Sequence, residues 1–136
     1  MVVKRSDGLR EREEVRRTRM KKKYVSFDDC WRFIDLLKKE HQTHKFTGVC
    51  ALPRGGLVLG VMASHALHIP FLAAPCDGCV VIDDIADTGL TLQHYRECGY
   101  YIATMFYHKQ SVVVPDLWMK EKKSVLPCFS IIFRLF

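Results

Sequence analysis

Three carboxylates fall within five residues, Asp83, Asp84 and Asp87, directly after the apolar run Val80-Val81-Ile82. Carboxylates this close repel one another unless a cation or a set of hydroxyl groups compensates. Ribose hydroxyls and a divalent metal are both suitable partners for their oxygens. Thr88, Gly89 and Thr91 come next, where a helix is expected to begin. Unpaired backbone N–H groups at a helix start form an anion site, and small hydroxyl-bearing residues let a phosphate approach closely. Acids that hold a sugar, beside a helix start that holds a phosphate, describe a site for a ribose 5-phosphate. Each residue also has a plainer role: solvated charge at a strand end for Asp83 and Asp84, and a helix cap for Asp87.

A second segment with chemical potential is Leu52-Pro53-Arg54-Gly55-Gly56-Leu57, again between an expected strand and an expected helix. Two glycines allow unusual backbone torsions, and the arginine offers a planar donor fork suited to phosphate oxygens. By itself the segment is also consistent with a simple turn. Cys76-Asp77-Gly78-Cys79 has the spacing of a redox or zinc motif. A structural zinc site needs four ligands, and neither a second Cys-x-x-Cys nor a His-x-x-x-His is present, His65 and His68 being the nearest candidates. The expectation for Cys76 and Cys79 is two thiols flanking an Asp-Gly turn.

The elements that would position these loops alternate. Ser26-Phe27-Asp28-Asp29 starts a helix, with a hydroxyl to cap it and acids at its positive end. Its apolar stripe is Trp31, Ile34 and Leu37, flanked by Phe27, Cys30 and Phe33, and runs to about His41. Thr47 to Leu52 reads as a buried strand. Gly55-Gly56 opens a second helix whose buried side is expected to carry Leu57, Val58, Val61, Met62 and Ala66. Short strands follow at Ile69–Ala73 and Cys79–Ile82, then a helix from Gly89 to Cys98 and β-rich runs at Tyr100–Tyr107 and Ser111–Val114. Wholly apolar strands between helices predict an α/β fold with a parallel sheet covered on both faces. In such sheets ligands collect at the C-terminal strand ends, where both distinctive loops lie.

Size and charge set the remaining bounds. A chain of 136 residues, 49% apolar and 26% charged, is one domain with room for a core. No stretch reaches the ~18 apolar residues of a membrane span, and no secretory signal is visible, so the cytoplasm is the expected location. The net charge of +6 is located entirely in residues 1–23, which hold ten Lys/Arg against four Asp/Glu; the rest holds eleven of each. That basic leader is too polar to order itself and is expected to be disordered, a solvated tail or the product of translation begun upstream of a start at Met20. A nucleic-acid partner is expected only through this leader. Residues 24–136 form the expected domain, with an atypical apolar tail at 124–136 that reads as a terminal strand or an altered end.

The string Val80-Val81-Ile82-Asp83-Asp84-Ile85-Ala86-Asp87-Thr88-Gly89-Leu90-Thr91-Leu92 closely resembles the phosphoribosyl-pyrophosphate (PRPP) signature of type I phosphoribosyltransferases. The Pro53-Arg54-Gly55-Gly56 loop resembles the pyrophosphate loop of the bacterial purine (xanthine, guanine, hypoxanthine) members and stands in the same order relative to the signature. The resemblance covers residues 24–123. It implies a three-layer, Rossmann-like parallel sheet and Mg2+-assisted displacement of pyrophosphate from PRPP by a purine base. By the same likeness Arg54 and Gly55 meet the pyrophosphate, and Asp83 and Asp84 hold the ribose hydroxyls and, through them or through water, the metal. Ala86, Asp87, Thr88, Gly89 and Thr91 cradle the 5-phosphate, Asp87 manages the proton of the base as catalytic acid/base, and Lys109 reaches the exocyclic oxygen of the base. A homo-oligomer is implied as well. Two departures stand out. Pro75 is joined to Cys79 by three residues, so the hood or lid is expected to be reduced or absent. The tail lacks the tryptophan-rich closure of the base site, leaving Trp118 and Phe129 as the nearby aromatic substitutes. A non-catalytic PRPP- or nucleotide-binding regulatory module is the alternative that these departures favour.

Overall fold

A computed structural model describes residues 24–122 and 132–133. The leader at 1–23 and most of the tail, with Phe129, therefore lie outside the described residues. Ser26 caps helix α1 (Phe27–His44): its Oγ accepts from the Asp29 N–H at 3.2 Å, and the Asp29 carboxylate accepts from the Ser26 N–H at 3.2 Å. This capping box satisfies two backbone donors that the first turn leaves unpaired. The helix runs three residues past His41. It stops where Lys45 turns left-handed (φ 51°) and its N–H bonds the His41 carbonyl at 2.8 Å. Cys30, Phe33, Ile34 and Leu37 form the buried stripe, whereas Phe27 and Trp31 are 43% and 46% exposed. The apolar face is thus narrower than the sequence stripe, because nothing among the described residues covers Phe27 and Trp31.

Five strands form one parallel sheet in the order β3-β2-β4-β5-β6: β2 (Val49–Ala51), β3 (Phe71–Leu72), β4 (Val80–Ala86), β5 (Tyr101–His108) and β6 (Leu117–Lys122). A separate parallel pair joins β1 (Tyr24–Val25) to β7 (Ile132–Phe133), so the tail does contribute a short strand. Helix α1 and helix α2 (Gly56–Leu67) cover one face, where Phe33, Leu37, Leu59 and Ala63 meet Val49, Val80, Ile82 and Met105. Helix α3 (Leu90–Glu97) covers the other through Leu92, against Cys50, Val81 and Ile102. Val80 and Ile82 thus serve one core and Val81 the other, which is why this strand is apolar without alternation. The chain is a three-layer α/β fold with a wholly parallel sheet. No helix among the described residues is long and apolar enough to cross a membrane.

Three expectations fail here. The buried residues of α2 are Gly56, Leu59, Gly60, Ala63 and Leu67, while Leu57, Val58 and Val61 face outward; Met62 and Ala66 are partly buried. Close approach to the sheet selects this face, since a Cβ on Gly60 would overlap the Ala51 methyl. Strand β4 extends four residues past Ile82, because Asp83, Ile85 and Ala86 keep parallel register with Thr104, Phe106 and Tyr107. Ser111–Val114 is a loop, and the last strand of the sheet is Leu117–Lys122. In the loop Ser111 bonds locally, its Oγ donating to the Val113 carbonyl at 2.7 Å. The charged strand β6 is a sheet edge, where polar residues are tolerated and guard against pairing with other chains.

Candidate functional site

The two loops singled out in the sequence meet at the C-terminal rim of the sheet. Strands β2 and β4 are neighbours, so the chain leaving β2 passes over the end of β4. The Leu52 N–H donates to the Ile82 carbonyl at 2.9 Å, and the Gly56 N–H returns to the Leu52 carbonyl at 3.0 Å. The Pro53–Arg54 peptide bond is cis. Gly55 lies directly against the Asp84 carboxylate, where any Cβ would overlap it, and a Cβ on Gly56 would come within 3.1 Å of the Asp83 Cα. The glycines are therefore required for close approach rather than for torsion: Gly55 has an ordinary helical φ of −61°. Arg54 is exposed and has no ion pair among the described residues.

Asp83 and Asp84 are partly buried, and each carboxylate folds back on the next peptide. Asp83 Oδ1 accepts from the Asp84 N–H at 2.8 Å, and Asp84 Oδ1 from the Ile85 N–H at 2.9 Å. Burial pushes the Asp83 carboxyl well above the usual carboxylate range. A hydrogen bond to the Asp84 carboxyl and its charge act in the same direction, and the Asp84 N–H partly offsets them. A partly buried acid pair with one carboxyl shifted toward its neutral form suits a cation or hydroxyl donors that would compensate its charge. Among the described residues no group of three or more His, Cys, Asp or Glu could hold a metal. The pair fits a Mg2+ that takes most of its ligands from water and phosphate oxygens, and does not fit one caged by protein.

The turn after the acids continues from the same strand. Gly89 adopts a left-handed conformation (φ 79°) at the start of α3, and Thr88 Oγ1 accepts from the Leu90 N–H at 3.4 Å. A clamp from the loop beyond β5 fixes this turn. The Val112 N–H donates to the Thr88 carbonyl at 2.8 Å, and a Cβ on Gly89 would overlap Ser111 Oγ. Thr88 and Thr91 are exposed, whereas the Ala86 side chain is buried in the core, so Ala86 offers a ligand only its backbone.

Two side chains of the same loop make polar contacts. Lys109 Nζ reaches Glu121 Oε1 on β6 at 3.5 Å. Its neighbour Gln110 instead donates from Nε2 to Asp87 Oδ1 at 2.7 Å. The sequence reading missed Gln110 because a solitary glutamine after a strand has no distinguishing pattern. Trp118 packs on Tyr107 with ring centroids 5.1 Å apart.

A three-layer parallel sheet carries an acid pair, a glycine loop and a left-handed turn together at its C-terminal rim. Among solved structures its fold is that of the phosphoribosyltransferases. A purine phosphoribosyltransferase of Pyrococcus horikoshii superposes with a TM-score of 0.65 at 24% identity, over 82% of this chain and 92% of that one. The xanthine-guanine-hypoxanthine phosphoribosyltransferase of Helicobacter pylori gives 0.61 at 15% identity over the same shares. The adenine phosphoribosyltransferase of Trypanosoma brucei, solved with AMP, pyrophosphate and ribose-5-phosphate, gives 0.52 at 15% identity over 74% of this chain and 68% of that one. No protein-family model and no curated protein matches the chain.

Proposed function

We propose that this protein is a phosphoribosyltransferase that moves the ribose 5-phosphate of PRPP to a purine base and releases pyrophosphate. The observation that carries the reading is the contact of Gly55 with the Asp84 carboxylate, which joins the Arg54 loop to the acid pair at one rim. In this reading Asp83 and Asp84 bind the ribose hydroxyls. The turn from Ala86 to Thr91 receives the 5-phosphate on its backbone N–H groups, with the Thr88 and Thr91 hydroxyls beside it. Arg54 neutralises the pyrophosphate as it leaves. A Mg2+ bound with PRPP supplies further neutralisation of the leaving group. Asp87 accepts or returns the proton of the base ring, and Gln110, bonded to Oδ1, leaves Oδ2 for that purpose. Lys109 approaches the base only by giving up its ion pair with Glu121.

The short connection at residues 73–79 favours a second reading, a PRPP-binding module without turnover, because it leaves no room for a water-excluding lid among the described residues. The 92% coverage of the Pyrococcus horikoshii chain weighs against it: a protein described as a purine phosphoribosyltransferase has little chain beyond this fold. Incubation with Mg-PRPP and a panel of purine bases, following pyrophosphate release, separates the two. Base-dependent release that falls at least 100-fold in Asp87→Asn supports the transferase. Saturable PRPP binding with no release for any base supports the module.

A further inference from the structure

The rim is one end of β4; the other end carries a thiol pair that the PRPP reading does not use. Cys76 and Cys79 occupy the first and fourth positions of a hydrogen-bonded turn, with the Cys79 N–H donating to the Cys76 carbonyl at 3.1 Å. Gly78 supplies the positive φ of 79° that the third position of a type II turn requires. Such a turn brings its end Cα atoms within ~7 Å, inside the span that a disulfide bridges. Thr47 fixes the turn from the β2 side: its N–H donates to the Gly78 carbonyl at 3.0 Å and its hydroxyl to the Asp77 carbonyl at 2.8 Å. Cys76 is exposed, and its Sγ lies 3.7 Å from the Thr47 hydroxyl. Cys79 is buried at 1% exposure. A cleft of about 340 Å³ opens beside the pair, with Asp77, Gly78, Cys79, Cys98 and Tyr100 in its wall.

We propose that Cys76 and Cys79 form a reversible dithiol–disulfide site that exchanges with low-molecular-weight disulfides. An exposed thiol at the first position and a buried one three residues later divide the labour. The Cys76 thiolate attacks one sulfur of the small disulfide, forms a mixed disulfide and expels the first thiol. Cys79 then gives up its proton and attacks Cys76 Sγ, closing the internal bond and expelling the second thiol. Two electrons pass from the protein to the small disulfide, and the two released thiols carry away the protons. Burial holds the Cys79 thiol above its ordinary pKa. That suits a resolving group that waits for the mixed disulfide beside it. Metal binding is the weaker use, since no three ligands cluster among the described residues.

The test uses the full-length reduced chain equilibrated with mixtures of reduced and oxidised glutathione, followed by alkylation of free thiols and peptide mapping by mass spectrometry. Exposed Cys98 is the internal control for a single thiol. A closed pair depends on the square of reduced glutathione, whereas a mixed disulfide at a single thiol depends on its first power. The expected result is a Cys76–Cys79 disulfide with the squared dependence, present equally in Cys98→Ser. Cys79→Ser is expected to carry glutathione on Cys76 instead. A chain that acquires glutathione on Cys98 while Cys76 and Cys79 remain dithiol overturns the proposal, as does a disulfide that includes Cys98. Should Cys79→Ser fail to fold, Cys76→Ser decides: no glutathione at Cys79 supports the division of labour, and ready modification there contradicts it.

Discussion

Asp83 is placed where its charge is costly. Its carboxyl is pushed up to about 8 by burial first and by Asp84 second. An acid whose pKa is raised on folding contributes stability below its unfolded value of about 4, and that contribution is lost as pH rises through the folded value. The ligand-free protein should therefore lose stability between about pH 4 and pH 8 on account of this group. Asp83→Asn should flatten that slope and be more stable than the parent at pH 8, by roughly 1–3 kcal/mol. Calorimetric melts across this pH range check the sign, and a parent that gains stability toward pH 8 relative to Asp83→Asn contradicts it. Such a cost is expected of a residue kept for binding. Gly55 carries the complementary prediction. Gly55→Ala drives a methyl into the Asp84 carboxylate, and denaturant unfolding should show a loss of about 1–3 kcal/mol.

Helix α2 shows where element-level reading fails. It is apolar on every side, so periodicity gave no basis for choosing its buried face. The choice was made by Gly60 and Ala63, whose small size lets the helix settle onto β2. Gly60→Val should cost about 1–3 kcal/mol through overlap with Ala51, and Val61→Ser less than about 0.5 kcal/mol, both read from urea midpoints. The reverse order would restore the face expected from the sequence. Other elements were legible for physical reasons. The Ser26–Asp29 box marks the start of α1 by residue type alone, and the uninterrupted Val80-Val81-Ile82 run marks a strand covered on both sides. The acid and glycine loops were legible because acids, hydroxyls and glycines follow one another in a single run, although each residue alone is ordinary at a strand end. Strand β6 was not, since Lys120, Glu121 and Lys122 look like loop residues until the sheet edge is known. Gln110 and Ser111 were hidden for a related reason, because their partners Asp87 and Gly89 are distant in sequence.

Across the whole molecule the sheet separates two chemistries along β4. Its C-terminal end presents carboxylates, glycine loops and a helix start, and its N-terminal end presents thiols beside an open cleft. Residues 24–136 carry eleven basic and eleven acidic side chains, so on the PRPP reading attraction of the polyanion rests on local groups such as Arg54 and the first turn of α3 rather than on a field of that stretch. The central claim is that the rim holds PRPP, and melting the full chain with and without Mg-PRPP tests it most directly. At a hundredfold excess over its dissociation constant, a ligand of the native state adds about 2.7 kcal/mol, a rise on the order of 10 °C for a domain of this size. The account predicts such a rise, greatly reduced in the paired substitution Asp83→Asn with Asp84→Asn even though that variant melts no lower when unliganded. A folded wild-type chain whose melting temperature does not move with millimolar Mg-PRPP would contradict it.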